Sequence, residues 1–315
     1  MESPRIVFMG TPDFAVASLK ALVEKNYNIV GVITAPDKPA GRGRKINTSA
    51  VKKYADSVGL NLLQPEKLRD ETFLEELKNL NADLQIVVAF RMLPKVVWSM
   101  PKLGTFNLHA SLLPQYRGAA PINWAVINGE TKTGVTTFLL DDKIDEGNIL
   151  LQQEVEIGIK DDAGVVHDKL MDVGTDLILK TVDGLVDGIL TPTKQIESDE
   201  LKPAPKIFKE ECKIDWNKNI MSVYNHIRGL SPFPGSWSKL SNGDIETEVK
   251  ILMSNFILEE HNFNIGKVIT DKKSIRIAVN NGFIEVLELQ ISGKKRMKSA
   301  DLLNGYKFNE NAKTH

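Results

Sequence analysis

Apolar residues follow two rhythms along this chain. Short, mostly apolar runs at 5–10, 29–34 and 83–90 have the length and side-chain shape of buried strands. Between them, apolar positions recur at helical spacing. Phe14, Ala17, Leu19, Leu22 and Val23 follow Pro12-Asp13, a helix-opening pair. The same reading predicts a helix over Val51–Val58 behind a cap at Asn47-Thr48, a short strand at Leu60–Leu63 and a helix over Glu71–Leu80. Further strands are expected at Thr105–His109, Thr136–Leu140 and Leu150–Ile157. A continuous apolar strand such as Asp83–Phe90 belongs in the middle of a parallel sheet, covered on both faces. Strands alternating with helices imply right-handed parallel β-α-β units.

The pattern changes after a long helix over Ala163–Asp187, whose inner face is Val166, Leu170, Val173, Leu177 and Leu185. Pro192, Pro203 and Pro205 punctuate a polar stretch that reads as a linker, residues 189–206. A helix over Asn217–Arg228 follows, closed by the turn Leu230-Ser231-Pro232-Phe233-Pro234-Gly235. Short strands come next, with turns at Asn242-Gly243, Asn280-Asn281-Gly282 and Ser292-Gly293, the spacing of a small β-barrel. The expected architecture is α/β: a parallel-sheet domain over 1–188, the linker, and a β-barrel domain over 207–315.

A chain of 315 residues can bury large cores in two domains without disulfide staples. Its single cysteine, Cys212, excludes an intrachain disulfide framework and a Cys-rich zinc site. No run reaches the ~20 apolar residues of a transmembrane helix, and Arg5 leads into a strand rather than a signal-peptide core. The expectation is a cytoplasmic protein that does not engage membranes. The net charge of −1 is unevenly spread. Residues 1–205 hold 23 Lys and Arg against 28 Asp and Glu, and residues 206–315 hold 17 against 13, so the second part is the better suited to a polyanion.

Candidate chemistry concentrates in Phe106-Asn107-Leu108-His109-Ala110-Ser111-Leu112-Leu113-Pro114. On a strand, Asn107 and His109 share one face while Phe106 and Leu108 take the other. Ligands of open parallel sheets bind where such strands end. An amide beside an imidazole can stabilise an oxyanion and move a proton. The loop Asp141-Asp142-Lys143-Ile144-Asp145-Glu146-Gly147 follows another apolar strand, and a carboxylate there could orient His109. His167, His226, His261 and His315 are dispersed, without metal-ligand spacing, and no metal is expected. A second candidate is the basic stretch Lys38-Pro39-Ala40-Gly41-Arg42-Gly43-Arg44-Lys45, joined by nearby Lys52.

The run Asn107-Leu108-His109-Ala110-Ser111-Leu112-Leu113-Pro114-Gln115-Tyr116-Arg117-Gly118 resembles the signature of the folate-dependent formyltransferases, and Asp145-Glu146-Gly147 matches their acidic loop. Phe8-Met9-Gly10-Thr11-Pro12-Asp13-Phe14-Ala15, the basic stretch at 38–45, Leu230–Gly235 and Gly293-Lys294-Lys295-Arg296-Met297 are similar to the branch that acts on charged initiator tRNA. One departure stands out. Phe90-Arg91-Met92-Leu93-Pro94 replaces a Tyr-Gly-containing stretch and looks more like the folate-lining segment of the glycinamide ribonucleotide branch.

The resemblance implies a Rossmann-like catalytic domain followed by an OB-like barrel. It implies 10-formyltetrahydrofolate as donor and the α-amino group of methionine on initiator tRNA as acceptor, for translation initiation. Asn107, His109 and Asp145 would be the catalytic set. Asn107 and protonated His109 would donate to the oxyanion, and Asp145 would support the His charge and help pass the amine's proton to the leaving nitrogen. Ser111, Leu112, Leu113, Pro114, Met92 and Leu93 would line the folate. Arg42, Arg44 and Lys45, with Lys294, Lys295 and Arg296 of the barrel, would contact the tRNA. The protein is expected to act as a monomer.

Three other classes can be weighed. A formyl transferase for a small amine needs neither the basic loop nor a second domain. A dinucleotide oxidoreductase would carry Gly-x-Gly-x-x-Gly after its first strand, where this chain has Gly10-Thr11-Pro12-Asp13 with one glycine. A non-catalytic RNA-binding protein leaves Asn107, His109 and Asp145 without a role.

Overall fold

A computed structural model describes residues 3–40 and 45–315. Two compact units are present, each assembled from non-contiguous segments. The first comprises residues up to 118, 134–155 and 167–203; the second comprises 119–133, 156–166 and 204–315.

The first unit is built on a seven-stranded sheet. Its strands are β1 (Ile6–Gly10), β2 (Ile29–Ile33), β5 (Leu62–Leu63), β6 (Leu84–Val88), β7 (Thr105–His109), β8 (Lys132–Leu139) and β9 (Ile149–Glu156), in the order β5-β2-β1-β6-β7-β8-β9. A separate antiparallel pair, β3 (Lys38–Ala40) with β4 (Lys45–Asn47), flanks the tip of the basic stretch. Helices α1 (Asp13–Glu24), α2 (Ala50–Ser57), α3 (Glu71–Asn79) and α4 (Lys95–Trp98) connect the strands up to β7. Pairing is parallel from β5 to β7. The order reverses direction between β1 and β6, which places a topological switch point one strand from β7.

Two local readings are corrected. The α2 cap is Ser49, whose Oγ accepts from the Lys52 amide at 3.0 Å, rather than Asn47-Thr48. And β8 runs antiparallel to β7, so the β-α-β rule stops there. The residues of β8 cannot reveal this, because a strand buried on both faces reads the same in either direction.

The alternation within strands sorts the sheet into two faces. Val7, Met9, Ile33 and Val87 pack with Phe73 and Leu77 of α3, Leu93, and Val97 of α4 on one face. Leu108 points to the other, toward Gly174 of α6 (Ala163–Val186). Asn107 is in register with Val87, so its side chain leaves β7 on the Val87 face.

The second unit contains α5 (Pro121–Ile127), which the sequence reading missed, and α7 (Ile220–Gly229), capped by Asn219. Its sheet comprises β10 (Ser236–Asn242), β11 (Ile245–Leu258), β12 (Val268–Thr270), β13 (Ile275–Val279), β14 (Gly282–Ile291), β15 (Met297–Lys298) and, after α8 (Ser299–Leu303), β16 (Lys313–Thr314). The order is β12-β13-β14-β11-β10-β16, with β15 on β14. The two ends meet through a Lys267–Lys313 bridge, where the Val268 amide donates to Ala312 O and the Thr314 amide to Gly266 O. Such closure removes the open edges of the sheet. The barrel interior is Val249, Ile251, Ile277, Ile284, Val286 and Leu289, packed with Ile220, Val223 and Ile227 of α7. Trp216 also lies in this core.

Candidate active site

The site is assembled where β7 meets its loop. Asn107 Oδ1 is buried and has no hydrogen-bond partner among the described residues. His109 is buried, and its Nε2 lies 2.8 Å from the Tyr116 carbonyl oxygen. A carbonyl only accepts, so Nε2 carries a proton and Nδ1 faces the other way. Nδ1 lies 3.9 Å from Asp145 Oδ2, too far for a hydrogen bond. The loop carboxylate was expected to orient His109; in the structure the Tyr116 carbonyl does so, and Asp145 stands beside the opposite edge of the ring.

Asp145 is itself tightly specified. Its φ of 55° is left-handed, a sparsely used conformation for a side chain of this kind. Its Oδ2 accepts from the Gly118 amide at 3.0 Å. Two residues on, Gly147 admits no side chain, because a Cβ there would overlap the Leu139 carbonyl oxygen. Glu146 is drawn below the usual carboxylate range by its hydrogen bond to Lys143, with further help from the Arg117 charge.

The Ser111–Pro114 loop is fastened to β8 and β9. Thr136 Oγ1 donates to Ser111 O at 2.6 Å and accepts from the Leu113 amide at 3.1 Å. Gln152 Nε2 donates to Leu113 O at 2.8 Å. Ser111 and Leu113 are buried, with Ser111 Oγ donating to Gln115 O, while Leu112 and Pro114 are half-buried. Leu93 belongs to the core cluster beside Val87, whereas Met92 is 76% exposed and leaves that cluster. Arg91, within the stretch that departs from the expected pattern, anchors its segment: Nη1 donates to Glu66 O at 2.9 Å and Nη2 to Pro65 O. Burial pushes its guanidinium pKa down from the ordinary arginine value.

Of the expected RNA contacts, Arg42 and Arg44 lie outside the described residues, and Lys45 is the first residue of β4. Lys52 is committed elsewhere, to Asp37 Oδ2 at 2.6 Å and Gln64 Oε1 at 2.9 Å. Lys294 and Lys295 are exposed in the turn after β14. Arg296 is tied to Glu288 at 2.7 Å through Nε, so its charge is partly neutralised.

Tyr116, Thr136, Gln152 and Gln195 position the site and were not singled out from the sequence. Tyr116 acts through its main chain, which no residue type announces. Gln195 lies in the stretch read as a linker.

A model of the formyl transferase family matches residues 4–182, and a model of the formyl transferase C-terminal domain matches residues 206–307. The chain belongs to the formyl transferase family. It is 56% identical over 315 residues to the methionyl-tRNA formyltransferase of Flavobacterium johnsoniae, covering 100% of both chains. It is 58% identical to the methionyl-tRNA formyltransferase of Bacteroides thetaiotaomicron, over 99% of this chain and 98% of that one. Among solved structures it resembles the N-formyltransferase of Helicobacter canadensis in complex with folinic acid and dTDP-3-aminofucose. The TM-score is 0.66 at 21% identity, over 93% of this chain and 100% of that one. HypX of Aquifex aeolicus in complex with tetrahydrofolic acid gives a TM-score of 0.67 at 19% identity, over 98% of this chain and 49% of that one. At such identities these two likenesses concern the fold alone.

Proposed function

We propose that this formyl transferase moves a formyl group from 10-formyltetrahydrofolate to the α-amino group of methionine on initiator tRNA. The observation that carries the chemistry is the pairing of a buried, carbonyl-anchored His109 with Asp145, next to an Asn107 whose Oδ1 is buried and unpartnered. The acceptor is read from the relatives' names and from the basic stretch at 38–45.

Asn107 fits a reaction that brings in both a donor and an acceptor of hydrogen bonds, since an amide offers both. Bound 10-formyltetrahydrofolate supplies an activated formyl carbon. Asn107 Nδ2 donates toward the formyl oxygen as negative charge develops there, the kind of preorganised donor that accelerates acyl transfer, while the unpartnered Oδ1 is free to accept from the incoming amine. His109, fixed at Nε2, offers Nδ1 to the same region. Asp145 Oδ2 retains lone pairs beyond its bond to Gly118; it takes the proton that the attacking amine loses as the new C–N bond forms and passes it to the folate N10 as the bond from the formyl carbon to N10 breaks. Holding amine and formyl carbon together supplies much of the remaining acceleration. Ser111, Leu112, Leu113, Pro114 and Leu93, with the exposed Met92, contact the folate in this reading.

Residues 207–315, with Lys294, Lys295 and Arg296, hold the body of the tRNA, while Arg42, Arg44 and Lys45 meet its acceptor end. No helix among the described residues is long and apolar enough to cross a membrane, and in this reading the protein works in the cytoplasm, where translation initiates, as a monomer. The test is formyl transfer to charged initiator tRNA, free methionine and glycinamide ribonucleotide in parallel. The charged tRNA should be the preferred acceptor by orders of magnitude in kcat/KM. Equal or better use of a small amine would overturn the reading.

A further inference from the structure

We infer that Gln195 is a positioning residue that sets how Asp145 stands against His109. The inference rests on the catalytic reading of that pair. Gln195 is 5% exposed, in a segment otherwise rich in exposed polar residues. Its Nε2 donates to Asp145 O at 2.9 Å and to Gly147 O at 2.8 Å. Its Oε1 accepts from Arg117 Nε at 3.0 Å and Arg117 Nη2 at 2.7 Å. Two donors and two acceptor sites are all that a carboxamide has. Every one is used, and flipping the amide would set oxygen against two carbonyls and nitrogen against a guanidinium.

Those four bonds reach both sides of the candidate pair. On one side they grip the main chain of Asp145, held at a φ of 55°. On the other they hold Arg117, which lies between Tyr116 and Gly118. Tyr116 O anchors His109 Nε2, and the Gly118 amide donates to Asp145 Oδ2. The same segment is tacked down at both ends. Thr193 exchanges two main-chain bonds of 2.8 Å with Ile149. Lys202 O accepts from the Tyr116 amide at 2.7 Å, and the Lys202 amide donates to Gln115 Oε1 at 2.8 Å. The stretch 193–202 is thus a strap across the two site loops, and Gln195 is the point where it touches both.

The test uses Gln195→Met, which keeps length but loses all four bonds, and Gln195→Glu, which keeps the Arg117 side and turns oxygen toward the two carbonyls. A misplacement of about 1 Å can cost about 10²-fold in rate, so kcat on charged initiator tRNA should fall by between about 10- and 100-fold. KM for both substrates should stay within about 3-fold, the signature of lost transition-state placement. Circular dichroism and thermal melts should show folded protein. Amide hydrogen exchange across 142–148 should accelerate in both variants, a measurement that needs no acceptor and stands even if the parent proves to use another amine. Parent-like kcat in folded Gln195→Met, a loss of activity that goes with a rise in KM rather than a fall in kcat, or unchanged exchange at 142–148 each overturn the inference.

Discussion

His109 is anchored through Nε2 to the Tyr116 carbonyl at 2.8 Å, and only its Nδ1 edge is turned toward Asp145. The ring therefore gets its orientation from main chain seven residues away, on a loop that Thr136 and Gln152 hold from below. Chemistry is left to the opposite nitrogen.

His109→Ala and Asn107→Ala should each lower kcat by about 10²–10³, the usual loss for one oxyanion donor. Binding of the tRNA should change little, because neither side chain is near the barrel turn or the basic stretch in sequence. Single-turnover formylation combined with filter binding separates the two effects. Near-parental rates in both variants would remove them from the catalytic set. Asp145→Asn keeps an acceptor for the Gly118 amide, so it should remain folded while losing the base.

Gly147→Ala should disable the same loop by sterics alone. Its new methyl would overlap the Leu139 carbonyl, and main chain yields less easily than a flexible side-chain tip. Activity should drop as far as in Asp145→Asn although no functional group is removed. A normal melting temperature together with normal turnover would show that the loop relaxes freely.

How much of this was legible in the sequence differs from element to element. The strands β1, β2 and β6 were, because buried parallel strands are short and mostly apolar, and β7 was, because its polar and apolar residues alternate. The turns of the barrel were, because Gly243, Gly282 and Gly293 take left-handed or otherwise glycine-favoured φ values of 64°, 156° and 80°. Asn107 and His109 could be placed on one face by counting in twos. The reversal at β8 was not legible, since direction leaves no mark on composition. Nor was Tyr116, which acts by its carbonyl, or Gln195, whose polar neighbours and flanking prolines look like tether. Lys52 was misjudged as part of the basic stretch, because charge in a sequence does not say whether a partner waits in the fold.

That partner gives a third prediction. Lys52 holds Asp37, and the hydrogen bond from Lys52 is the main reason the Asp37 carboxyl lies below its ordinary value; Gln64 adds to it. A depressed carboxylate contributes stability above its unfolded pKa of about 3.9 and loses it as pH falls through the folded value. Lys52→Met should therefore flatten the acid limb of the stability curve. Asp37 also adjoins β3, at the base of the basic stretch. The same variant should raise KM for tRNA more than KM for the folate. A change confined to the folate would assign this stretch to the donor site.

A fourth concerns His226 in α7. Its Nε2 is buried without a partner among the described residues. Burial, the largest influence, pushes its pKa down, assisted by the Lys218 charge and opposed by a hydrogen bond with the Cys212 main chain and by Asp215. A histidine that is harder to protonate folded than unfolded binds fewer protons in the native state. Its penalty is absent above an unfolded pKa of about 6.5 and grows as pH falls below it. Urea midpoints at pH 7.5 and 5.5 should fall less in His226→Gln than in the parent, and an identical fall would place the pH sensitivity elsewhere.

The last prediction asks which cations of the barrel meet RNA. Each phosphate contact adds roughly −0.7 to −0.9 to the slope of log K against log salt. Lys294 and Lys295 lie exposed in the turn that the Lys294 amide closes onto Ile291 O, and Lys298 is exposed at the end of β15. Arg296 differs, because its guanidinium joins β15 to Glu288 of β14 and has structural work to do. Changing Lys294, Lys295 and Lys298 together to alanine should leave that ion pair and the barrel intact. If these lysines touch phosphate, the salt slope for tRNA binding should become shallower by about one unit or more, with affinity lost mainly at low salt. Arg296→Ala, by contrast, should lower thermal stability as well as affinity, since it frees Glu288 beside the turn. A triple variant with the parent's slope and affinity would turn this face of the barrel away from the RNA and leave the stretch around Arg42 as the principal contact.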